Sequence, residues 1–334
     1  MVTLALAGAS TGFGLTLLRV FLEHNATSPT SHNLIIQTRH STPVPALSAP
    51  NLEVRPIDYN NHGSLVTALD GVHTLLSTIG GNASALRDGQ LALVAAAKEA
   101  GVKRFAPSEY AGSGPGTGGI ELYKPKKVVW EALRESEMEY TRFCCGLFMS
   151  VLATGTPKGV METGLAEGAG SGEEEALAGL RPWNWVFDLR AGTVELPGDG
   201  EAVVGLTDMR DVARFVLGAL ELEKWPEELG MVGDRVSLRQ VVGIVEEVQG
   251  RNLLVREDSV EGMRREMELN PEKAFYNQTR LAVVNGYMDV PGTLNELCPW
   301  VKPITVREFV EKWWGGVDLP EPSWEAETQS FNFT

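Results

Sequence analysis

Three glycines, Gly8, Gly12 and Gly14, fall within seven residues of "LALAGASTGFG" (4–14). An apolar run, "VTLALA" (2–7), leads into them, and "FGLTLLRVFLEH" (13–24), with apolar residues at helical spacing, comes directly after. A glycine turn between a strand and a helix is suited to binding a pyrophosphate. The backbone must turn sharply at Gly8, approach the phosphates near Gly12, and let the helix pack on the strand at Gly14. The helix N-terminus then offers free N–H groups and partial positive charge. Ser10 and Thr11 add hydroxyl donors, and Phe13 sits within the same turn.

The end of the second apolar run, "NLIIQT" (33–38), selects the nucleotide. An NAD site places an acid there for the ribose 2′-hydroxyl, whereas an NADP site needs a cation for the 2′-phosphate. Here Arg39, His40 and Ser41 come next, with no acid before Glu53. Arg39 can grip a phosphate with charge-assisted, bidentate bonds, so NADPH is the expected cofactor.

Hydride transfer to a carbonyl or conjugated alkene needs a proton donor, or an electrostatic partner for the developing negative charge. "ELYKPKKVVWEAL" (121–133) offers Tyr123 and three lysines at the start of a helix. Tyr123 and Lys127 stand four apart, the spacing of one helix face, so the phenol can act as acid with the lysine as its activator. Pro125 suits the first helical turn and leaves Tyr123 just outside it. "PSEY" (107–110) ends another strand, where Ser108 is placed to meet the nicotinamide ribose or substrate and Glu109 to cap or to pair with a cation. Thr78, Ile79 and Gly80 of "STIGG" (77–81) suit the adenosine half. Histidines 24, 32, 40, 62 and 73 show no metal spacing and there is no Cys-x-x-Cys, so no metal site is expected.

These residues need a frame that holds strand ends side by side. Strands are predicted at 2–7, 33–38, 52–57, 73–80, 102–107 and 139–144, with helices at 13–24, 61–71, 85–101 and 125–137 between them. That alternation gives an α/β chain with a Rossmann-type, doubly wound parallel sheet in residues 1–150. Residues 151–334 read as mainly a smaller, mixed α+β substrate domain, with the chain returning to the first domain near 185–222. Within it, "METGLAEGAGSGEEEALAGL" (161–180) reads as a mobile loop or lid. Helices are expected at 207–221, 237–250 and 305–314. Trp183 and Trp185 read first as core, and second as a stacking surface for an aromatic substrate.

With 334 residues, 43% hydrophobic, the chain can build a sizeable core. Its formal charge of −15 repels nucleic acid and anionic membranes, so neither is an expected partner. No apolar run spans a bilayer, and the N-terminus lacks the basic region of a signal peptide. Adjacent Cys144 and Cys145 with a lone Cys298 fit a reducing compartment, and the expected location is cytoplasmic. The sequons at Asn25, Asn82, Asn277 and Asn332 carry little weight there.

"DYNNHGSLVTALDGVHTLLSTIG" (58–80), "RFAPSEYAG" (104–112), "KKVVWEALRESEMEYT" (126–141) and "DVARFVLGALE" (211–221) together resemble the isoflavone reductase and NmrA-like branch of atypical short-chain dehydrogenases. The resemblance runs through most of residues 2–250 and is strongest at "GVKRFAPSEY". It implies an NADPH-binding Rossmann domain and a smaller domain closing over the nicotinamide. Counting back from "EYT", it places the catalytic lysine on Lys126, with Leu122 where ordinary short-chain dehydrogenases carry tyrosine. It also implies that Gly146 contacts the nicotinamide while Leu147 and Phe148 line the substrate pocket. The branch usually spaces its glycines G-x-x-G-x-x-G, from which this chain departs. Its members range from reductases of aromatic metabolites to regulators that bind dinucleotides and reduce nothing. The expectation is an NADPH-dependent reductase of a small aromatic or polyketide-like molecule, with a dinucleotide-sensing regulator as the alternative.

Overall fold

Residues 3–7 are small or aliphatic at every position but the first, and a strand of that kind is stable only when both its faces are covered. In the computed structural model, which describes residues 2–39, 49–114, 117–158 and 172–326, this strand is central. It is β1 (Thr3–Ala7), succeeded by α1 (Gly12–Thr27), β2 (Asn33–Thr38), β3 (Leu52–Pro56), α2 (His62–Ala68), β4 (Thr74–Ser77), α3 (Gln90–Glu99), β5 (Arg104–Ala106), α4 (Lys124–Arg134) and β6 (Glu139–Tyr140). The six strands form one parallel sheet in the order β3-β2-β1-β4-β5-β6. Alternate residues supply two cores. Leu4, Leu6 and Leu76 pack with Leu17 and Phe21 of α1. Ala5, Ala7 and Leu75 pack with Leu65 of α2, Leu93 of α3 and Val129 of α4. The order reverses between β1 and β4, and the crevice at that switch point is where open α/β sheets take ligands.

The expected strand 139–144 is two strands. At Thr141 the backbone still bonds to Phe105, but the Arg142 N–H turns to the Glu227 carbonyl. The second piece, β7 (Arg142–Cys144), therefore leaves the large sheet. Beyond it come β8 (Leu147–Phe148), α5 (Gly172–Leu177), β9 (Phe187–Asp188), β10 (Thr193–Pro197), β11 (Val203–Thr207), α6 (Met209–Ala219), β12 (Glu228–Gly230), β13 (Asp234–Ser237), α7 (Leu238–Gln249) and β14 (Leu254–Asp258). The chain ends in α8 (Val260–Leu269), α9 (Ala274–Val284), α10 (Thr293–Leu297) and α11 (Val306–Trp314). β7 pairs with β12, and two small mixed sheets, β14-β10-β9 and β13-β11-β8, build the second lobe. α6 returns to α1, its Val212, Phe215 and Val216 joining the first core. No helix among the described residues is long and apolar enough to cross a membrane.

Two expectations need correction. Of the loop or lid expected at 161–180, residues 161–171 lie outside the described residues, but residues 172–177 are helix, with a turn only at 178–180. Glu173, Glu174 and Glu175 sit in the first turn of α5, where acids favour a helix, and Ala176 and Leu177 are buried. The Thr16 hydroxyl of α1 donates to the Ala178 carbonyl, which holds the end of α5 beside the glycine turn. In addition, α8, α9 and α10 occupy a stretch in which no helix is expected from sequence. α8 buries only Met263; the Ser259 hydroxyl caps it by accepting from the Gly262 N–H.

Two capping boxes set the helices of the second lobe. Ser237 and Gln240 form one on α7, as do Thr305 and Glu308 on α11. α11 is tied down by its tryptophans: the Trp314 indole N–H donates to the Leu152 carbonyl at 2.7 Å, and the Thr156 hydroxyl to the Trp313 carbonyl at 2.6 Å. Trp314→Phe leaves a buried carbonyl unpaired and is expected to lower stability in urea by about 1–3 kcal/mol. Dinucleotide affinity, set in the other lobe, should stay within about twofold. Urea unfolding and calorimetric titration of the one variant check both halves.

Candidate active site

The glycine turn rises from the carboxyl end of β1. Gly8 has φ +86°, and a Cβ there would lie 2.9 Å from the Thr78 carbonyl. Gly14 is tighter, since a Cβ would meet the Thr78 hydroxyl at 2.3 Å and the Gly8 carbonyl at 2.4 Å. α1 can therefore sit directly across the junction of β1 and β4, its first turn opening into the crevice. Thr11 is the extended residue before α1, and its side chain caps no N–H. The first-turn amides are thus left for an anion. Thr78 fastens the other wall: its N–H and hydroxyl both donate to the Ala7 carbonyl, at 2.8 and 3.0 Å.

Buried polar atoms without partners cluster at the same sheet edge. Gln37 and Ser77 flank Ala7 in register on β2 and β4. Both Gln37 amide atoms and the Ser77 hydroxyl lack a hydrogen bond among the described residues. Buried groups of this kind are normally paired, and a dinucleotide with its ribose hydroxyls fits a turn and edge of this chemistry. Arg39 stands exposed just beyond β2; His40 and Ser41 lie outside the described residues. Burial pushes the Tyr59 phenol up to about 12, with the Arg39 guanidinium pulling the other way. The Tyr59 ring lies against the backbone at Gly89.

α4 starts at Lys124 with Pro125 in its first turn, so Tyr123 precedes the helix and loses the i, i+4 alignment with Lys127. The structure instead brings Tyr123 to Lys126, whose ammonium lies 4.3 Å from the ring centroid. Lys126 donates to the Glu109 carbonyl at 2.8 Å, and its Nζ lies 4.0 Å from the Glu109 carboxylate. Both residues are 5% exposed. Burial pushes the Lys126 amine down and the Glu109 carboxyl up, while each charge opposes that effect on the other. Burial also lifts the Tyr123 phenol to about 12. Lys127 is 66% exposed beside Glu131 and does not join this group. Leu122 packs toward the core of the second lobe.

Aromatic rings close both sides. Phe13 lies 4.7 Å from Tyr110 and 5.4 Å from Phe148, centroid to centroid. The backbone at Tyr110 is held at φ +25°, and its buried hydroxyl has no partner among the described residues. Ser108 is positioned by Gln90, whose side-chain oxygen accepts the Ser108 N–H at 2.7 Å. Gly146 comes after β7, its N–H bonded to the Ala111 carbonyl, and Leu147 and Phe148 are half-buried in β8. Across the crevice, Phe275 stands edge-on to Tyr123 at 6.2 Å and stacks on Trp183 at 5.6 Å. Trp183 meets Tyr276 at 6.3 Å, while Trp185 is core, its indole donating to the Thr279 hydroxyl.

Sequence reasoning gives no role to Tyr59, Gln90, Tyr110, Phe275 or Tyr276. Tyr110 stands within "PSEY", but the last two belong to α9, where only the adjacent aromatics of "AFYNQTR" hint at a buried face. Among the described residues no group of three or more His, Cys, Asp or Glu is placed to hold a metal ion.

The sequence matches the NmrA-like family over residues 2–310. It is 31% identical over 261 residues to the oxidoreductase BOA1 of Botryotinia fuckeliana, covering 75% of this chain and 77% of that one. Two solved structures share the fold. The binary complex of leucoanthocyanidin reductase with NADPH from Vitis vinifera has a TM-score of 0.67 at 18% identity, covering 93% of this chain and 99% of that one. The quinone oxidoreductase QOR2 with NADPH from Escherichia coli has a TM-score of 0.68 at 19% identity, covering 92% and 98%.

The Gly14 contacts give a direct test. Gly14→Val forces α1 off the sheet and is expected to destabilise the chain by about 1–3 kcal/mol. Calorimetric titration of the folded variant should show no dinucleotide binding; wild-type affinity would mean that the turn is not the site.

Proposed function

The chain belongs to the NmrA-like family, and from that premise we propose that it is an NADPH-dependent reductase of a small aromatic or polyketide-like substrate. The observation that carries this reading is the buried amine of Lys126 just beyond the carboxyl end of β5, bonded to the Glu109 carbonyl and set over the Tyr123 phenol ring.

NADPH, when bound, supplies the hydride. The chain's own residues do the rest. The free amides of the first α1 turn hold the pyrophosphate, and Arg39 pairs with the 2′-phosphate. Ser108 and Gly146 bound the nicotinamide end. Phe13, Tyr110 and Phe148 exclude water from it. Lys126 gives its proton to the substrate oxygen that becomes negative, and Tyr123, protonated throughout the working pH range, fixes the direction of the ammonium. Trp183, Phe275 and Tyr276 form a wall suited to stacking a flat ring, with Leu147 opposite. The NADPH carried by both solved relatives supports the choice of cofactor.

Two measurements test this. Arg39→Ala is expected to weaken NADPH binding about tenfold or more while barely changing NADH, the loss of a charged hydrogen bond being about 1.5–3 kcal/mol. Lys126→Met is expected to lower kcat on an aromatic ketone or enone by about 10²–10⁴-fold with NADPH binding intact; Lys127→Met should leave kcat alone. Full turnover by Lys126→Met would overturn the assignment. Binding of NADP+ in preference to NADPH, with no turnover of any such substrate, would replace the reductase with the regulator.

A further inference from the structure

An ammonium ion buried this deeply discharges unless an anion faces it. The groups around Lys126 come from three places. Tyr123, just before α4, offers a neutral ring face. The end of β7 and the residue after it bring Cys144 and Cys145, whose thiols burial holds protonated, Cys145 up to about 12 and Cys144 well above its ordinary value. β7 also brings Arg142, a second cation. The loop after β5 brings Glu109, whose carboxylate is the only anion that bears on Lys126 among the described residues.

Burial pushes the Glu109 carboxyl up, and two neighbouring cations act against it. These are Lys126 and Arg142, which favour its charged form, whereas the more distant Glu228 opposes it. Arg142 lies over the Trp130 ring at 4.7 Å and pairs with Glu228, its register partner across β7 and β12. The Ser113 hydroxyl donates to the other Glu228 oxygen at 3.1 Å. Two ion pairs, Lys126 with Glu109 and Arg142 with Glu228, thus lie within electrostatic reach of each other, the second reaching the half-buried edge of β12.

We propose that Glu109 is a positioning residue for proton transfer: its carboxylate keeps the buried Lys126 an ammonium ion, so that the donor is recharged after each turnover. The inference rests on the reading of Lys126 as proton donor. When Lys126 gives its proton to the product oxygen, the amine is left neutral against an anion. Taking up a solvent proton restores the pair, which favours recharging before the next substrate arrives. The activity requires the ammonium form, so it falls as pH rises through the Lys126 pKa. Removing the carboxylate removes the influence that holds that pKa up, and the alkaline limb must move to lower pH.

The test compares Glu109→Gln, Glu109→Asp and Lys126→Met, by kcat and KM across pH and by NMR titration of lysine-labelled, cofactor-free protein. For Glu109→Gln the expected alkaline limb lies about one pH unit or more below wild type. At pH 8 its kcat falls about tenfold, with KM and NADPH affinity nearly unchanged. The Lys126 resonance should titrate at correspondingly lower pH in the free protein. Glu109→Asp, which keeps the charge, should recover most of the limb. A folded Glu109→Gln with wild-type limb and Lys126 titration, alongside an inactive Lys126→Met, overturns this inference and leaves the reductase reading standing. If Glu109→Gln does not fold, an Asp variant with unshifted limb and titration supports retention of the charge, whereas one shifted as far as an uncharged side chain would shift it overturns the role. Full turnover by Lys126→Met overturns both readings.

Discussion

The close seat of α1 on the sheet constrains every other part of the molecule. Gly14 lets the helix lie against the Gly8 carbonyl and the Thr78 hydroxyl, at a distance no side chain permits. Thr78 cannot yield, because its hydroxyl and N–H are both bonded to Ala7. With α1 fixed there, its first-turn amides point into the crevice between β1 and β4. Its outer face becomes the floor on which α6 packs, through Val212, Phe215 and Val216. The Thr16 hydroxyl, one turn further on, holds the Ala178 carbonyl and draws the second lobe against the same helix. One packing contact thereby sets the proposed phosphate site, the returning helix and the approach of the opposite wall.

Charge is used in this interior for placement more than for stability. Buried ion pairs repay their desolvation poorly, yet breaking one is costly, so each fixes a geometry firmly. Arg104 of β5 is an instance. Its guanidinium donates to the carbonyls of Leu220, Leu222 and Glu223 beyond the end of α6, at 3.3, 2.8 and 2.7 Å. It also lies over the Trp225 ring. A cation at a helix C-terminus is favourable in itself, and this one locks the returning helix to the strand that leads into Ser108 and Glu109. Arg142 does the same for β7 and β12 through Glu228. Arg280, 2% exposed, ties α9 to Asp258 at the end of β14. The aromatic residues of α9 are held in place from behind by that pair.

How much of this is legible in the sequence depends on how locally each feature is determined. The glycine turn, the βαβ rhythm and the caps at Ser237 and Thr305 are written within a few residues, and the structure has them where those residues stand. The division at Thr141 is not local. "EYTRFC" has a strand's composition throughout, and only the carbonyl of Glu227, far along the chain, decides that Arg142 leaves the sheet. α5 is helical because Ala176 and Leu177 find a core, which a run rich in Gly, Ala and Glu does not announce. The pairing of Tyr123 with Lys126 turns on one residue of helix start. Spacing alone leaves it open, and Pro125 within the first turn is what takes Tyr123 off the face of Lys127.

The same distinction separates the two halves of the candidate site. The dinucleotide side is assembled from strand ends whose order the sheet dictates, so a short motif identifies it. The proposed substrate side is assembled from Tyr123, Trp183, Phe275 and Tyr276, which come from three distant stretches and meet only as rings around one corner of the second lobe's core. None of these stretches carries a period or motif that says which ligand it faces. A side wall of that kind can be remodelled by single substitutions without disturbing the glycine turn or the ion pairs of Lys126 and Arg142. On the proposed reading, the cofactor and the proton donor are therefore constrained by the architecture, and substrate choice lies with the rings of α9 and the Trp183 loop.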